Sequence, residues 1–167
     1  PLPNDAYEQA LQLDQFKVWP EARQVMAAHR AHVIVAFLGD PKDAEGNLNA
    51  AGKVTLVAGA LADLLPAVAV ISTEGRTIVQ PRRFATLASQ LAKMTVPLEF
   101  WTSTAFFRGH PTTDGRDTVG AMTLGLRPFI GRELEFVPAP VPLRDLAQRV
   151  FAGAQYLILN GPVIKDG

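Results

Sequence analysis

The chain has 167 residues, of which 48% are hydrophobic and 19% charged, so it is the size of one ordinary domain and can bury a core. Its 16 basic and 16 acidic side chains cancel to a formal net charge of zero, which leaves no overall field to attract nucleic acid. Because it contains no cysteine, it has no disulfide, zinc thiolate site or cysteine nucleophile. We therefore predict a single domain over residues 1–167.

Two short helices are predicted to form a peripheral lead-in over residues 1–28. The first is "PNDAYEQALQL"; the second, "PEARQVMAAHR", starts at a proline, which lacks an N–H that the first turn would leave unpaired. No apolar run reaches the roughly 20 residues of a membrane span, and no signal peptide pattern precedes the helices. We expect a cytoplasmic protein without membrane insertion, trimmed at both ends.

The most apolar run, "AHVIVAFLG", is predicted to be the central strand of a sheet. Residues 33–38 are all apolar and rich in β-branched side chains, which is typical of a strand buried on both faces. His29 and His32 precede it at the boundary between a helix and a strand, where neither element places both rings on one face. We interpret His32 as a structural link between helix and strand rather than a metal ligand.

The middle of the chain is predicted to alternate between helices and strands. A helix that packs on a sheet is indicated by apolar residues at spacings of three and four: Val54, Val57, Ala58, Leu61 and Leu65. "AVAVIS" predicts a second buried strand, and "TEGRTIVQ" a turn region. "PRRFATLASQLAKM" predicts a helix whose core residues are Phe84, Leu87, Ala88, Leu91 and Met94.

The second half of the chain is predicted to be richer in strands. "PLEFWTSTAFFRG" alternates as a strand, with Trp101 and Phe107 on one face. "RELEFVP" indicates an edge strand with Glu133 and Glu135 outward. A helix is predicted to end at Gly153, and "AQYLIL" to return as a strand. The whole pattern favours an α+β fold, a two-layer sandwich in which helices pack mainly on one face of a mixed β-sheet.

The segment "GHPTTDGRDTVG", residues 109–120, is the most chemically varied part of the sequence, because it combines an imidazole, carboxylates and a guanidinium. Loops of this kind often bind ligands, but Asp–Gly and His–Pro are also ordinary turn sequences, so a solvated loop remains the alternative. The candidate binding residues are Arg108, His110, Thr112, Asp114 and Arg116, together with Trp101 and Thr123 from the flanking strands.

Two classes of function remain open on these residues. The favoured one is a non-catalytic module that binds a protein or peptide through a sheet edge or the loop, because no recognisable set of acid, base and nucleophile is present. The alternative is a hydrolase or transferase in which His110 works with Asp114 or Asp117, and Arg108 or Arg116 holds an anionic small substrate. Self-association through "RELEFVP" is a further hypothesis. No cofactor or metal ion is predicted.

From His29 to Gly167 the sequence resembles a bacterial family known as domain of unknown function 4261. The resemblance is carried by "HRAHVIVAFLG", "PAVAVIST", "PLEFWTSTAFF", "MTLGLRPFIGRELEF" and "AQYLILNGPVIKDG". The residues of the fourth stretch that match are Thr123, Gly125, Leu126, Phe129, Gly131, Glu133 and Glu135. The second stretch lacks the family's aromatic residue at the strand end. The resemblance implies a gene neighbourhood of type VI secretion and brings no established catalytic residue.

Overall fold

A computed structural model describes residues 4–13, 19–93 and 95–161. The helices are α1 (Asn4–Leu13), α2 (Ala22–Ala27), α3 (Ala44–Leu64), α4 (Pro81–Gln90), α5 (Leu98–Trp101), α6 (Arg127–Ile130) and α7 (Leu143–Asn160). The strands are β1 (Val70–Ser72), β2 (Thr77–Val79), β3 (Ser103–Arg108), β4 (Val119–Leu124) and β5 (Glu135–Ala139). A 3₁₀ turn, Leu91–Lys93, follows α4. Helices and strands of this proportion confirm the α+β class.

The strands form two small antiparallel sheets instead of the single mixed sheet that the sequence suggests. β1 and β2 make a hairpin, and β3, β4 and β5 make a second sheet in that order. A register shift between Val119 and Ala121 interrupts the pairing of β4 with β5. Among the described residues, only helices precede β1, so β1 has no earlier strand with which it could pair in parallel.

The prediction of a buried central strand over residues 33–38 is wrong. These residues have no regular secondary structure, and five of the six are exposed. Ile34 is 79% exposed and Leu38 98% exposed. Strong apolar character shows that a segment gains free energy when it is covered, but it does not determine which surface covers it. No strand in the described part of the chain pairs with this segment.

Helix α3 buries a different face from the predicted one. Val57 and Leu65 are exposed, whereas Ala50, Thr55 and Gly59 are buried. The helix is apolar on most of its circumference, so the spacing of apolar residues does not select one face. The buried face is the one with small residues, which allow α3 and α4 to approach closely. A Cβ added at Gly59 would lie 3.4 Å from the Cβ of Ala88.

Two predicted strands are partly or wholly helical. "AQYLIL" continues α7 through Asn160, because Ala154, Leu157 and Ile158 extend the buried stripe begun by Val150 at helical spacing. "PLEFW" forms the single turn α5, in which Leu98, Phe100 and Trp101 are all buried. Neighbouring residues that are both buried do not fit the alternation of a one-faced strand, so β3 begins only at Ser103.

The predicted helix that begins at Pro81 is confirmed as α4. Phe84, Leu87 and Ala88 are buried and Leu91 is partly buried, while Met94 lies outside the described residues. "RELEFVP" is confirmed as an edge strand, because β5 is the last strand of its sheet. The predicted turn region before α4 contains β2, which closes the hairpin with β1. Within the described ranges, no helix combines the length and apolarity needed to cross a lipid bilayer.

The larger of two apolar clusters is centred on Trp101. The indole ring stacks on Phe129 with ring centroids 5.3 Å apart, and its Nε1–H donates a 2.9 Å hydrogen bond to Oγ1 of Thr55. Both partners of this bond are buried, so α3, α5 and α6 are joined in the interior. The smaller cluster packs α7 against the second sheet through Ala121, Leu146 and Val150.

We predict that Thr55→Val lowers the free energy of unfolding by about 1–3 kcal/mol, because it leaves the buried Nε1–H of Trp101 without an acceptor. The measurement is urea denaturation monitored by circular dichroism. Thr86→Val on the exposed side of α4 is the matched control, and we expect it to change stability by less than about 0.5 kcal/mol. Equal losses in the two variants would contradict the prediction.

Candidate functional site

A carboxylate held by consecutive backbone amides lies between β4 and β5. The carboxylate of Glu133 accepts hydrogen bonds from the backbone N–H groups of Gly125 (2.9 Å), Leu126 (3.1 Å) and Arg127 (3.2 Å). The hydroxyl of Thr123 donates a fourth, at 2.9 Å. These four donors define the Glu133 nest. Because successive N–H groups converge on one anion, the nest fixes the path of the chain from β4 into α6.

Thr123 connects the Glu133 nest to the strand that follows it. Its hydroxyl donates to Glu133 and accepts a hydrogen bond from the backbone N–H of Leu134 at 2.8 Å. The side chain is buried, so the structure places this candidate binding residue in the interior. The expectation that Glu133 points outward is wrong, whereas Glu135 is exposed as expected. Glu133 does not follow the in-and-out alternation of strand side chains, because β5 begins only at Glu135.

Backbone segments meet closely at the carbonyl of Trp101. A Cβ added at Gly125 would lie 2.5 Å from this oxygen and 2.9 Å from the Cα of Gly75, and a Cβ added at Gly75 would also lie 2.5 Å from it. Gly125 has a φ of +94°, which other residues rarely adopt. Thr77 donates a 2.6 Å hydrogen bond to the neighbouring carbonyl of Phe100. Trp101, a candidate binding residue that the sequence places on a strand, is a buried residue of α5 around which these segments pack.

The loop between β3 and β4 is closed by hydrogen bonds of its own. The hydroxyl of Thr112 donates to the carboxylate of Asp114, and Nε of Arg116 donates to the same carboxylate at 2.8 Å. The backbone N–H of Arg116 donates to Oγ1 of Thr112 at 3.0 Å. The structure thus brings three predicted site residues together. The Thr112 hydroxyl, and after it the Arg116 guanidinium, hold the pKa of the Asp114 carboxyl below its usual range.

The histidine of this loop is not joined to a carboxylate. His110 is exposed, and within the described residues no hydrogen bond links its ring to Asp114 or Asp117. Arg108 and Asp117 are exposed as well. For His110 to act as a general base, a carboxylate would have to orient its ring by a hydrogen bond. The carboxylate of Asp114 is bonded to Thr112 and Arg116 instead. The loop therefore presents a set of charged groups to solvent.

The structural role predicted for His32 belongs to His29. Nδ1 of His29 lies 2.5 Å from the carbonyl oxygen of Met26 at the end of α2, and its ring packs edge-on against Tyr7 with centroids 5.9 Å apart. His32 is exposed in the irregular segment that follows. In the described ranges, no three histidine or acidic side chains come together as they would around a metal ion.

Two adjoining apolar surfaces are exposed, and the sequence does not predict the exposure of either. The first is formed by residues 33–38, and it adjoins α3 where the ring of Phe37 lies 6.0 Å from Nζ of Lys53. The outer stripe of α3 consists of exposed residues at spacings of three and four: Lys53, Leu56, Val57, Ala60, Asp63 and Leu64. Leu56 is 54% exposed, Val57 52% and Leu64 80%. Apolar surface of this extent on a folded protein commonly marks an interaction site.

A further, shallower apolar feature runs along α7. Leu143, Ala147 and Phe151 line an open groove of about 700 Å³, with Arg144 and Gln148 at its side. All of the lining comes from one helix, so the groove has no opposite wall. An enclosed binding pocket for a small molecule normally has walls from several elements.

The sequence contained the signals for part of these features. The glutamate at the end of "TLGLRPFIGRE" belongs to a stretch that carries the family resemblance, but only the fold shows that its carboxylate accepts hydrogen bonds from the backbone of residues 125–127. The apolar character of residues 33–38 was clear from composition. The exposure of this segment was not clear from composition, because a hydrophobic sequence favours burial and does not show whether the fold supplies a surface that covers it.

The C-terminal part of the chain is similar to a known family. A family model described as "Domain of unknown function (DUF4261)" matches residues 122–167. This match includes the Glu133 nest and α7, and it agrees with the resemblance seen in the last two sequence stretches. No curated protein and no solved structure shows significant similarity to the chain.

We predict that Glu133→Ala lowers the free energy of unfolding by about 2–3 kcal/mol, because three backbone donors and one hydroxyl lose a charged acceptor. Chemical denaturation measures the loss. Glu135→Ala, two residues along the chain and exposed, is the control and should change stability by no more than about 0.5 kcal/mol. If both glutamates tolerate alanine equally, the nest does not stabilise the fold.

We also predict that the loop loses its internal bonds in acid. Since folding lowers the pKa of Asp114, its bonds stabilise the loop above the ordinary carboxyl pKa of about 4, and this stabilisation disappears as the pH falls through the lowered value. NMR titration of the side-chain carboxyl carbon measures that pKa. Thr112→Val should raise it, whereas Thr113→Val, at the neighbouring exposed threonine, should leave it unchanged. An unchanged pKa in Thr112→Val would contradict the assignment.

Proposed function

We propose that this chain is a non-catalytic protein-interaction module that binds its partner through residues 33–38. The single observation that supports this most strongly is the exposure of five of these six consecutive apolar residues, with Ile34 at 79% and Leu38 at 98%. Leaving such a segment in water forgoes the free energy of burying several large apolar side chains. A partner that covers the segment recovers that free energy, which is the usual origin of binding at apolar patches.

The partner surface that fits this segment best is the edge of a β-sheet. Four of the six residues, Val33, Ile34, Val35 and Phe37, are of types that favour strands, and none is proline or glycine. An extended segment added to a sheet edge pairs its backbone N–H and C=O groups with the edge strand, while alternate side chains enter pockets on each face. We therefore propose that the module donates a strand to its partner.

The charged loop at residues 109–118 provides a second surface for the same partner. Its exposed groups include His110 and Asp117, and the exposed Arg108 at the end of β3 adjoins them, so that they suit polar contacts at the rim of an interface. The hydrogen bonds among Thr112, Asp114 and Arg116 hold the loop in shape before binding. Pre-ordering of this kind reduces the entropy that is lost on association.

The enzyme alternative has less support than binding. It requires His110 to be oriented by Asp114 or Asp117, and the carboxylate of Asp114 is instead bonded to Thr112 and Arg116. The family resemblance supports a bacterial protein linked to type VI secretion, where modules that hold secretion proteins together would use such a surface. We propose that the partner of this module is a protein of that system.

We predict that a partner protein is captured by the wild-type chain and lost by Ile34→Lys, because the substitution places a charge in the buried part of the interface. Pull-down from a lysate of the source bacterium, read by mass spectrometry, measures this. Val137→Lys is the matched control: it carries the same change at an exposed valine of β5, and it should retain the partner.

Two further variants separate the modes of binding. Ala36→Pro removes one backbone donor and keeps the large apolar side chains, so strand addition predicts loss of the partner here also. His110→Ala/Asp114→Ala tests the loop. A partner lost only by the loop variant would contradict binding through residues 33–38, and capture of no stoichiometric partner by the wild type would contradict the interaction function.

A further inference from the structure

We propose that a second copy of this chain packs against the outer stripe of α3, with the two helices antiparallel about a twofold axis that passes between Val57 and Ala60. This inference does not depend on the proposed function, since it uses the stripe of α3 and not residues 33–38; the two surfaces adjoin where the ring of Phe37 lies 6.0 Å from Nζ of Lys53. The stripe is an apolar seam: Leu56, Val57, Ala60 and Leu64 lie along one side of the helix at spacings of three and four.

The seam is unusual because the opposite side of the same helix is already packed. Thr55 and Gly59 are buried against the core, where Thr55 accepts the bond from Trp101 and a Cβ added at Gly59 would lie 3.4 Å from the Cβ of Ala88. A surface helix normally needs only one apolar face. The second apolar face of α3 therefore has no role within the described fold and is suited to contact with another molecule.

The size of the side chains permits two helices to approach closely. Ala60 lies in the centre of the seam, and a Cβ added at Gly52 would have no atom within 4 Å, so the helix surface is open there. The flanking leucines and valine can then pack into the spaces beside these small residues. In such an arrangement, the large side chains of one α3 contact the small residues of the other.

The charges at the two ends of the seam identify the partner as a second copy in antiparallel orientation. Lys53 and Asp63 are ten residues apart, which is about 15 Å along a helix. An antiparallel copy places Lys53 of each chain beside Asp63 of the other, so two complementary pairs form. A parallel copy would place like charges together. In the described part of the chain, neither residue has an ion-pair partner.

Two properties of the rest of the chain agree with this partner. The formal net charge is zero, so two copies do not repel each other. The edge of β5, which the sequence suggested for self-association, contains Pro138, and proline lacks the N–H that edge-to-edge pairing requires. A twofold dimer is the commonest symmetric assembly of identical chains, and it uses the same patch on both copies.

The experiment measures the dimer dissociation constant by sedimentation equilibrium over a range of protein concentrations. We expect a wild-type dimer and a monomeric Leu56→Glu variant. Leu159→Glu is the matched control, because it introduces the same charge at an exposed leucine of another helix, α7, and should leave the dimer intact. Thermal unfolding by circular dichroism establishes that each variant is folded.

Charge exchange tests the antiparallel orientation separately. Lys53→Asp and Asp63→Lys should each raise the dissociation constant about tenfold, because each brings like charges together at two places. The double variant Lys53→Asp/Asp63→Lys should restore affinity, since the pairs form again with their signs exchanged. A monomeric wild type, or a dimer unaffected by Leu56→Glu, would overturn the interface. Failure of the double variant to recover would overturn the orientation.

The same variants distinguish this inference from the proposed function. Leu56→Glu should abolish the dimer while residues 33–38 still capture the partner protein, and Ile34→Lys should lose the partner while remaining dimeric. Loss of both properties in Leu56→Glu would show that the two surfaces are one interface, which contradicts the separate twofold dimer on α3.

Discussion

The close backbone contact at Gly125 is the constraint on which the described core depends. Its N–H is bonded to Glu133, its φ is positive, and its Cα faces the carbonyl of Trp101 and the Cα of Gly75. The first hairpin, α5 and the β4–α6 connection therefore meet through backbone atoms, without side chains between them. A Cβ at this position would lie 2.5 Å from the carbonyl oxygen of Trp101, so the backbone would have to shift beside the residue whose indole contacts Thr55 and Phe129.

The polar groups of this junction are satisfied internally, which has a consequence for function. Glu133, Thr123 and the Trp101 indole have their hydrogen bonds with other parts of the fold, so they hold the core in one arrangement and have little capacity for a ligand. The surfaces available for recognition lie outside: residues 33–38, the outer stripe of α3 and the loop after β3. The proposed function uses the first of these surfaces, residues 33–38, and does not draw on the polar groups of the junction.

Prediction from sequence is accurate where the residues that determine an element are close together in the chain. α4 was predicted correctly because Pro81 sets its start and the stripe of Phe84 and Leu87 is repeated within three turns. "AQYLIL" was assigned to a strand because Gly153 resembles a helix end, although the stripe of α7 continues beyond it. Of the candidate site residues, the loop members Thr112, Asp114 and Arg116 do come together, since they are close in sequence, whereas Trp101 and Thr123 proved to be interior residues.

The sequence by itself determined the α+β class, the apolar character of residues 33–38, most helices and the edge position of β5, because each of these depends on composition and periodicity within one segment. Only the tertiary structure decided which face of α3 is buried, that Glu133 turns inward, and that residues 33–38 stay uncovered. These outcomes depend on contacts between residues distant in the chain. Hydrophobicity records how much a segment gains from being covered, but the covering surface belongs to another part of the chain or to another molecule.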